Sequence, residues 1–525
     1  MQEFIARFAD QVQGTLSGFD RVLFRGSIRR LTHAQGMKMY LIRNGLLCKE
    51  FADHVKRVSA DVKEAALEPF HKQGLPVRHI YDSHLDKDQI ARTLAAELQI
   101  LQGDVCALTA MEISPTFQHV NTGMEVRPRP TLVVYPYRID PEFGWMHSRI
   151  QTWFPFYIHV CINGREWLGR RMDAAGMHYL RQDNCFPWIE DIARAQCLMD
   201  EQIHVDWNTR LQSFADRLNP LHQHIFRNFD AATYYGSAFQ CEWATDVMLR
   251  PGALRRLEPL LLRHGLLNFS SPDILRFWGK RIRLDGCLPE RFNAPITSSL
   301  KLRPQGERLK HWWDGNSLKG YGKAHTWLGD LFRIECMMAI LRAFRNYRAA
   351  ENGPADDLRW RTLRRGVVDL PERARLSQCA NQRYLDAFAT LDDTTRMAEL
   401  IQPLQQPCQF GNRRVRGLQP FRSDDYLLLQ TIQRGEFNLN GFRNRDLQRF
   451  LYDGGAPPPP HLDLKEKRRR SAAVGRKIRL LRAHGLIEKA PHSNLYHLTQ
   501  PGRRAITAVL TIQQSSLSEL NRLAA

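Results

Sequence analysis

Apolar spacing changes period twice near the end of the chain. Val474, Ile478 and Leu481 recur at i, i+4 and i+7, one face of a helix. Ala472, Gly475, Arg476 and Arg479 fall on the opposite face. Ser471 stands where an N-cap is wanted, just after the charge run Lys467–Arg470, and Gly485 supplies a C-terminal stop. Leu486–Lys489 and Leu495–Thr499 then read as two short strands joined by a turn containing Pro491, His492 and Asn494. Upstream, Ser423 and two acids open a helix with Leu428 and Ile432 on its apolar face. A second helix starts at Asn444 as N-cap and ends on Gly454 and Gly455, with a short strand or turn before it at Phe437–Phe442. The predicted order is helix, short strand, helix, basic helix, hairpin, helix.

In the first two hundred residues strand and helix patterns alternate. Phe19–Ile28, Leu75–Asp82 and Gly103–Ile113 read as strands, and Ala34–Leu47, Phe51–Gly74 and Lys87–Ile100 as helices. From Thr131 two long aromatic strands form a hairpin that runs into a helix, with Pro155 at an edge or bulge. In the second strand Trp145, His147, Arg149, Gln151 and Trp153 alternate onto one face. Indoles interleaved with a cation make a stacking platform for unpaired bases, so Trp145, Arg149 and Trp153 are candidate nucleic-acid contacts. Asp183 and Asn184 read as a turn.

The segment from Leu218 begins as helix. Asn219–Pro220 starts it, so His222 and His224 diverge by about 200° and do not form a metal pair. Further on, Leu309–Trp313 is extended, Asp314–Asn316 turns, Ser317–Lys323 returns, and Leu331–Met337 adds a third strand. That register sets Lys310, Trp312, Lys319, Tyr321, Lys323, Arg333 and Glu335 outward. A tyrosine hydroxyl beside a cation and a carboxylate able to hold a divalent metal can attack phosphorus, which makes Tyr321, Lys323 and Glu335 candidate catalytic residues. After Tyr347 the chain reads as helical and basic, and residues 401–422 as a linker.

Charge sharpens this picture. Arg413–Arg504 holds 20 Lys and Arg against 8 Asp and Glu, a difference of +12 within a whole-chain net charge of +20. Over half the excess therefore sits in under a fifth of the length, an electrostatic footprint for phosphate backbones. The 43% hydrophobic content supports ordinary cores, and no apolar run approaches the roughly 20 residues of a membrane span. The first residues form an amphipathic helix with acids rather than a signal peptide. Ten cysteines are scattered without C-x-x-C or zinc spacing, as in a reduced, cytoplasmic protein. No P-loop, G-x-G-x-x-G, H-E-x-x-H or nucleophile elbow occurs.

The element order after Ser423 resembles the winged helix-turn-helix domain of MarR-type regulators. The Tyr321-x-Lys323 and Arg333-Ile334-Glu335 segment resembles the Lys- and Glu-bearing strands of rolling-circle replication initiators, without their paired histidines. The first resemblance implies duplex DNA binding by Arg468, Arg469, Arg470, Arg476, Lys477, Arg479 and Arg482, with His492 and Asn494 at the wing tip. The expected architecture is a mixed α/β (α+β) body with mixed sheets plus a C-terminal winged helix. The expected boundaries are 1–217, 218–400, a linker 401–422, a winged helix 423–512 and a tail 513–525. The expected function is nucleic-acid binding, as a regulator or a mobile-element or replication accessory. The alternatives are a phosphodiester-cleaving enzyme using a divalent metal, and an RNA-binding ribonucleoprotein component.

Overall fold

The computed structural model describes residues 1–120, 123–229, 233–280, 296–303, 306–350, 353–354, 356–391, 397–433, 437, 441–456, 459, 463–490 and 493–514. The protein is a mixed α/β chain, as its patterning predicts. It divides into two compact units, neither continuous in sequence: residues 1–13, 249–336 and 379–525, and residues 14–248 and 337–378. Boundaries at 217 and 400 do not coincide with this division.

The second unit is built on seven hydrogen-bonded strands. Their spatial order is Tyr235–Leu249, Val12–Ser27, Ile158–Asn163, Gly144–Gln151, Gly123–Asp140, Gly103–Val120 and Val77–Ile80. From Val12–Ser27 through Gly103–Val120 neighbours run antiparallel, and Val77–Ile80 joins in parallel, so the sheet is mixed. Helices Phe51–Lys72 and Lys87–Glu97 form where expected. The second helix packs Ala91 and Leu94 onto Val105, Leu108 and Val133. Asp183, with φ 51°, turns the small hairpin Tyr179–Gln182 and Cys185–Ile189, as its pattern suggests. Pro155 lies in the connection between strands rather than at a strand edge or bulge. The strand Tyr235–Leu249 stands where the sequence reads as helix. Its last nine residues are all buried, so the in–out alternation that marks a strand is missing. Arg345–Arg348 and Arg359–Thr362 likewise form a hairpin within a stretch read as helical. His222 and His224 sit on a four-residue helix, and buried His222 meets Asp216 at 2.8 Å.

In the first unit four strands run Ile296–Arg303, Gly306–Trp313, Asn316–His325 and Asp330–Met338 in that spatial order. Asp314 and Gly315, at φ 44° and 75°, make a two-residue hairpin turn. Helix Ala253–Asn268 lies against this sheet at Gly265, where a Cβ would come within 2.5 Å of Leu309 and 2.9 Å of Phe388.

The C-terminal part of the same unit has its own apolar cluster. Helices Ser423–Ile432, Asn444–Asp453, Leu464–Ala483 and Gln500–Gln514 surround it with the hairpin Ile487–Lys489 and Tyr496–Leu498. Phe442 bridges to Tyr496, adding a third short strand segment. Residues 401–422 are not a linker. They contribute the end of helix Met397–Gln405 and a hairpin at Cys408–Phe410 and Arg413–Val415, and Ile401, Leu404 and Leu418 enter the cluster. Arg416 grips Asp425 with two bonds of 2.7 and 2.8 Å, tying this segment to the first turn of the next helix.

Candidate nucleic-acid interface

Helix Leu464–Ala483 begins seven residues before Ser471, with Asp463 as N-cap. Ser471 is therefore interior, and Asn444 is the first helical residue behind an Arg443 N-cap rather than a cap itself. The charge run lies inside the helix because lysine and arginine are good helix formers. Glu466 in its first turn also accepts bonds from Arg469 at 2.6 Å and Arg470 at 3.0 Å. Those two bonds hold the Glu466 carboxyl down at about 2.

The helix buries one side. Val474, Ile478 and Leu481 are at most 4% exposed and enter the cluster. Lys465, Arg468, Arg469, Ala472, Arg476 and Arg479 are exposed. Their spacing of 0, 3, 4, 7, 11 and 14 residues places them in one stripe along the helix. Among the described residues, Arg468, Arg476 and Arg479 have no ion-pair or hydrogen-bond partner. Arg469, Arg470 and Arg482 are engaged. Arg470 reaches Asp453 at 2.9 Å and lies 4.9 Å from the Tyr452 ring. Arg482 lies 5.2 Å from Phe410, and Lys477 is partly covered. Asn494 is exposed at the hairpin tip, and His492 lies outside the described residues.

A second basic surface lies on the four-stranded sheet of the same unit. Register aligns Ser299, Lys310 and Lys319 in one cross-strand row, and Lys301, Arg308 and Tyr321 in the next. Exposed Trp312 has the Lys310 ammonium 4.5 Å from its ring. Burial first, then Lys319 and Lys301, lowers the Lys310 pKa, as expected where like charges crowd.

Two of the expected catalytic residues, Tyr321 and Glu335, meet, and both are buried. Glu335 is ion-paired to Lys319 and accepts the Tyr321 hydroxyl at 2.8 Å. Lys323 shares the face of Tyr321 two residues along the strand. Tyr321, Arg333 and Glu335 were expected outward but are 6%, 0% and 4% exposed. Burial works to raise the Glu335 pKa, but Lys319 and the Tyr321 hydroxyl outweigh it and hold the carboxyl below its usual range. So ready an anion is a poor acceptor for the Tyr321 proton, and a buried hydroxyl is out of a phosphodiester's reach. Tyr321→Phe should therefore cost about 1.5–3 kcal/mol of stability, the worth of a hydrogen bond to a charged group. Urea unfolding checks this. Unchanged stability, together with loss of a covalent adduct to a cleaved strand, would restore the nucleophile reading.

The aromatic platform in the second unit does not form as expected. Trp145 is buried, its Nε1–H donates to Asp88 at 2.8 Å, and Arg92 lies 4.5 Å from its ring. Helix Lys87–Glu97 covers that part of the sheet. Trp153 is half-buried in the turn after the strand. Arg149 is held in a cleft by Glu112 at 3.1 Å and Ser114 at 2.8 Å.

No protein-family model and no curated protein matches the chain. Two solved structures share weak likeness: the di-domain ARO/CYC proteins BexL, from the BE-7585A biosynthetic pathway, and StfQ, from the steffimycin biosynthetic pathway. They match at 11% and 10% identity, covering 59% and 57% of this chain and 95% and 93% of theirs, with TM-scores of 0.13 and 0.12. At that level the likeness carries no argument about this chain.

Proposed function

We propose that the protein binds nucleic acid, with the C-terminal elements acting as a winged helix on duplex DNA and helix Leu464–Ala483 in the major groove. The observation that carries this reading is the exposed cationic stripe. Arg468, Arg476 and Arg479 have no partner among the described residues, and Ala472 lets the backbone approach. Small residues and guanidiniums on one face suit close approach to base edges, while the opposite face is already consumed by the core. The role that follows is a DNA-binding regulator or a replication or mobile-element accessory.

Full-length protein should bind a labelled duplex with an affinity that falls steeply between 50 and 200 mM salt, read by fluorescence anisotropy. Salt-independent binding, or none, would overturn the proposal. A second reading rests on exposed Trp312 among Lys301, Lys310 and Lys319, which suits stacking on unpaired bases of a single strand or a structured RNA. Trp312→Ala separates the two. It should cost about 1–3 kcal/mol of single-strand affinity and leave duplex binding unchanged.

A further inference from the structure

In the second unit two arginines and a histidine from three neighbouring strands stand in one row. Arg25 is in register with His159, and His159 with Arg149. With Glu112, Ser114, Tyr135, Gln151 and Tyr157 they line a cavity of about 290 Å³.

The wall is unbalanced in charge. Arg149 gives Nε to Glu112 and Nη2 to Ser114, and Glu112 also accepts the Tyr135 hydroxyl and lies 3.7 Å from Lys87. Among the described residues Arg25 has no such counter-ion. Its Nε donates to His159 Nε2 at 2.8 Å, and the Phe239 and Tyr157 rings lie 4.1 and 5.2 Å away. Among the described residues its terminal nitrogens have no hydrogen-bond partner and no carboxylate is within ion-pair distance. His159 brings no negative charge. Burial first, then Arg25 and Arg149, push its pKa down to about 3, so it is neutral, and accepting from Arg25 leaves its proton on Nδ1. Burial, with Arg149 and Arg365 nearby, also makes the Arg25 charge costly, lowering its pKa. One carboxylate thus faces Arg25, Arg149 and Lys87. Such an imbalance is stable when an anion completes it.

The wall also holds an unmet acceptor. Gln151 is fully buried and gives Nε2 to the carbonyls of Pro115, Trp153 and Phe154, which fixes the amide orientation. Its Oε1 has no partner among the described residues. A ligand offering an anion beside a hydroxyl would satisfy both ends.

We propose that this cavity binds a phosphate ester, with the Arg25 and Arg149 guanidiniums holding the phosphate oxygens and Gln151 Oε1 accepting a neighbouring hydroxyl. Planar guanidiniums present forked donors that match phosphate oxygens. The site is independent of the cationic helix and stands whether or not that helix binds DNA.

Isothermal titration and thermal melting of the full chain in chloride buffer test this with three probes: inorganic phosphate, adenosine 5′-monophosphate and a short single-stranded oligonucleotide. At least one phosphate-bearing probe should bind and raise the melting temperature. Arg25→Met should weaken that probe at least tenfold, yet melt above the wild type without ligand, because an uncompensated charge has been removed. A purely structural arginine would lower the melting temperature instead. Arg25→Lys should retain charge and lose the fork, giving an intermediate loss. The oligonucleotide arm is read as the difference between wild type and Arg25→Met. A difference confined to it assigns the phosphate to a polymer, and one confined to the mononucleotide assigns it to a small ester. Should Arg25→Met fail to fold, the same tenfold loss is sought in Arg149→Lys. Absence of binding by every probe at millimolar concentration, or equal binding by the variants, overturns the proposal.

Discussion

Replacing Arg468, Arg476 and Arg479 together by alanine is expected to flatten the salt dependence of duplex binding by about 2.7 in the slope of log affinity against log salt. Each neutralised phosphate contributes about 0.9 to that slope on B-DNA, and three contacts are removed. Over a fourfold change in salt this is about a 40-fold difference in how strongly the two proteins respond. The three arginines are suited to the test because they are exposed and make no internal bonds among the described residues. Their loss should leave the fold intact, since the buried Val474, Ile478 and Leu481 face the other way. Arg470→Ala is the contrasting substitution. It removes the ties to Asp453 and Glu466, so it should lower stability and leave the slope near that of the wild type. If the triple variant shows the wild-type slope while binding persists, the helix is not what meets the phosphates. Single substitutions at Arg476 or Arg479 should each cost about 1–3 kcal/mol of sequence discrimination if those side chains reach bases.

Which parts of this molecule were legible in the sequence follows from what periodicity encodes. Val474, Ile478 and Leu481 mark their helix because one face is dry and the other wet. The turn at Asp314 and Gly315 is legible because the backbone there demands residues that tolerate positive φ. The strand Tyr235–Leu249 is not, because burial on both faces erases the alternation. Alternation also says which residues share a face but not what covers it. Trp145 and Arg149 do share one, yet helix Lys87–Glu97, from earlier in the chain, packs over the indole. Glu335 and Tyr321 share theirs and are buried all the same. Ser471 reads as a cap only if the charge run lies before the helix, whereas the side chains of that run belong to the first two turns. The cleft around Arg25 carries no local signal. Residues 25, 149 and 159 meet only through the register of three strands.

The largest loss of stability is expected in the second unit, from breaking the pair Arg165–Asp246. Arg165 is the second residue of helix Gly164–Ala174, where the Asn163 side chain caps the backbone by accepting from the Arg165 and Glu166 amides at 2.8 and 3.2 Å. The Arg165 side chain meets Asp246, on strand Tyr235–Leu249, at 3.0 Å and the Ala244 carbonyl at 3.3 Å. Both side chains are 0% exposed. Gly164 allows the approach, for a Cβ there would stand 1.9 Å from the Phe19 carbonyl oxygen on the intervening strand. Removing one partner leaves a charge that water cannot reach, so Asp246→Ala should cost about 3–5 kcal/mol, and Arg165→Met a similar amount. The double variant Arg165→Met, Asp246→Leu should lose much less than the two singles combined, because an apolar pair of similar volume has no charge to strand. Urea unfolding gives the magnitudes, and hydrogen exchange along Val12–Ser27 places the loss in this sheet. Singles that cost under about 1 kcal/mol, or a double variant that is fully additive, would show that the pair is solvated and contributes no more than a surface ion pair.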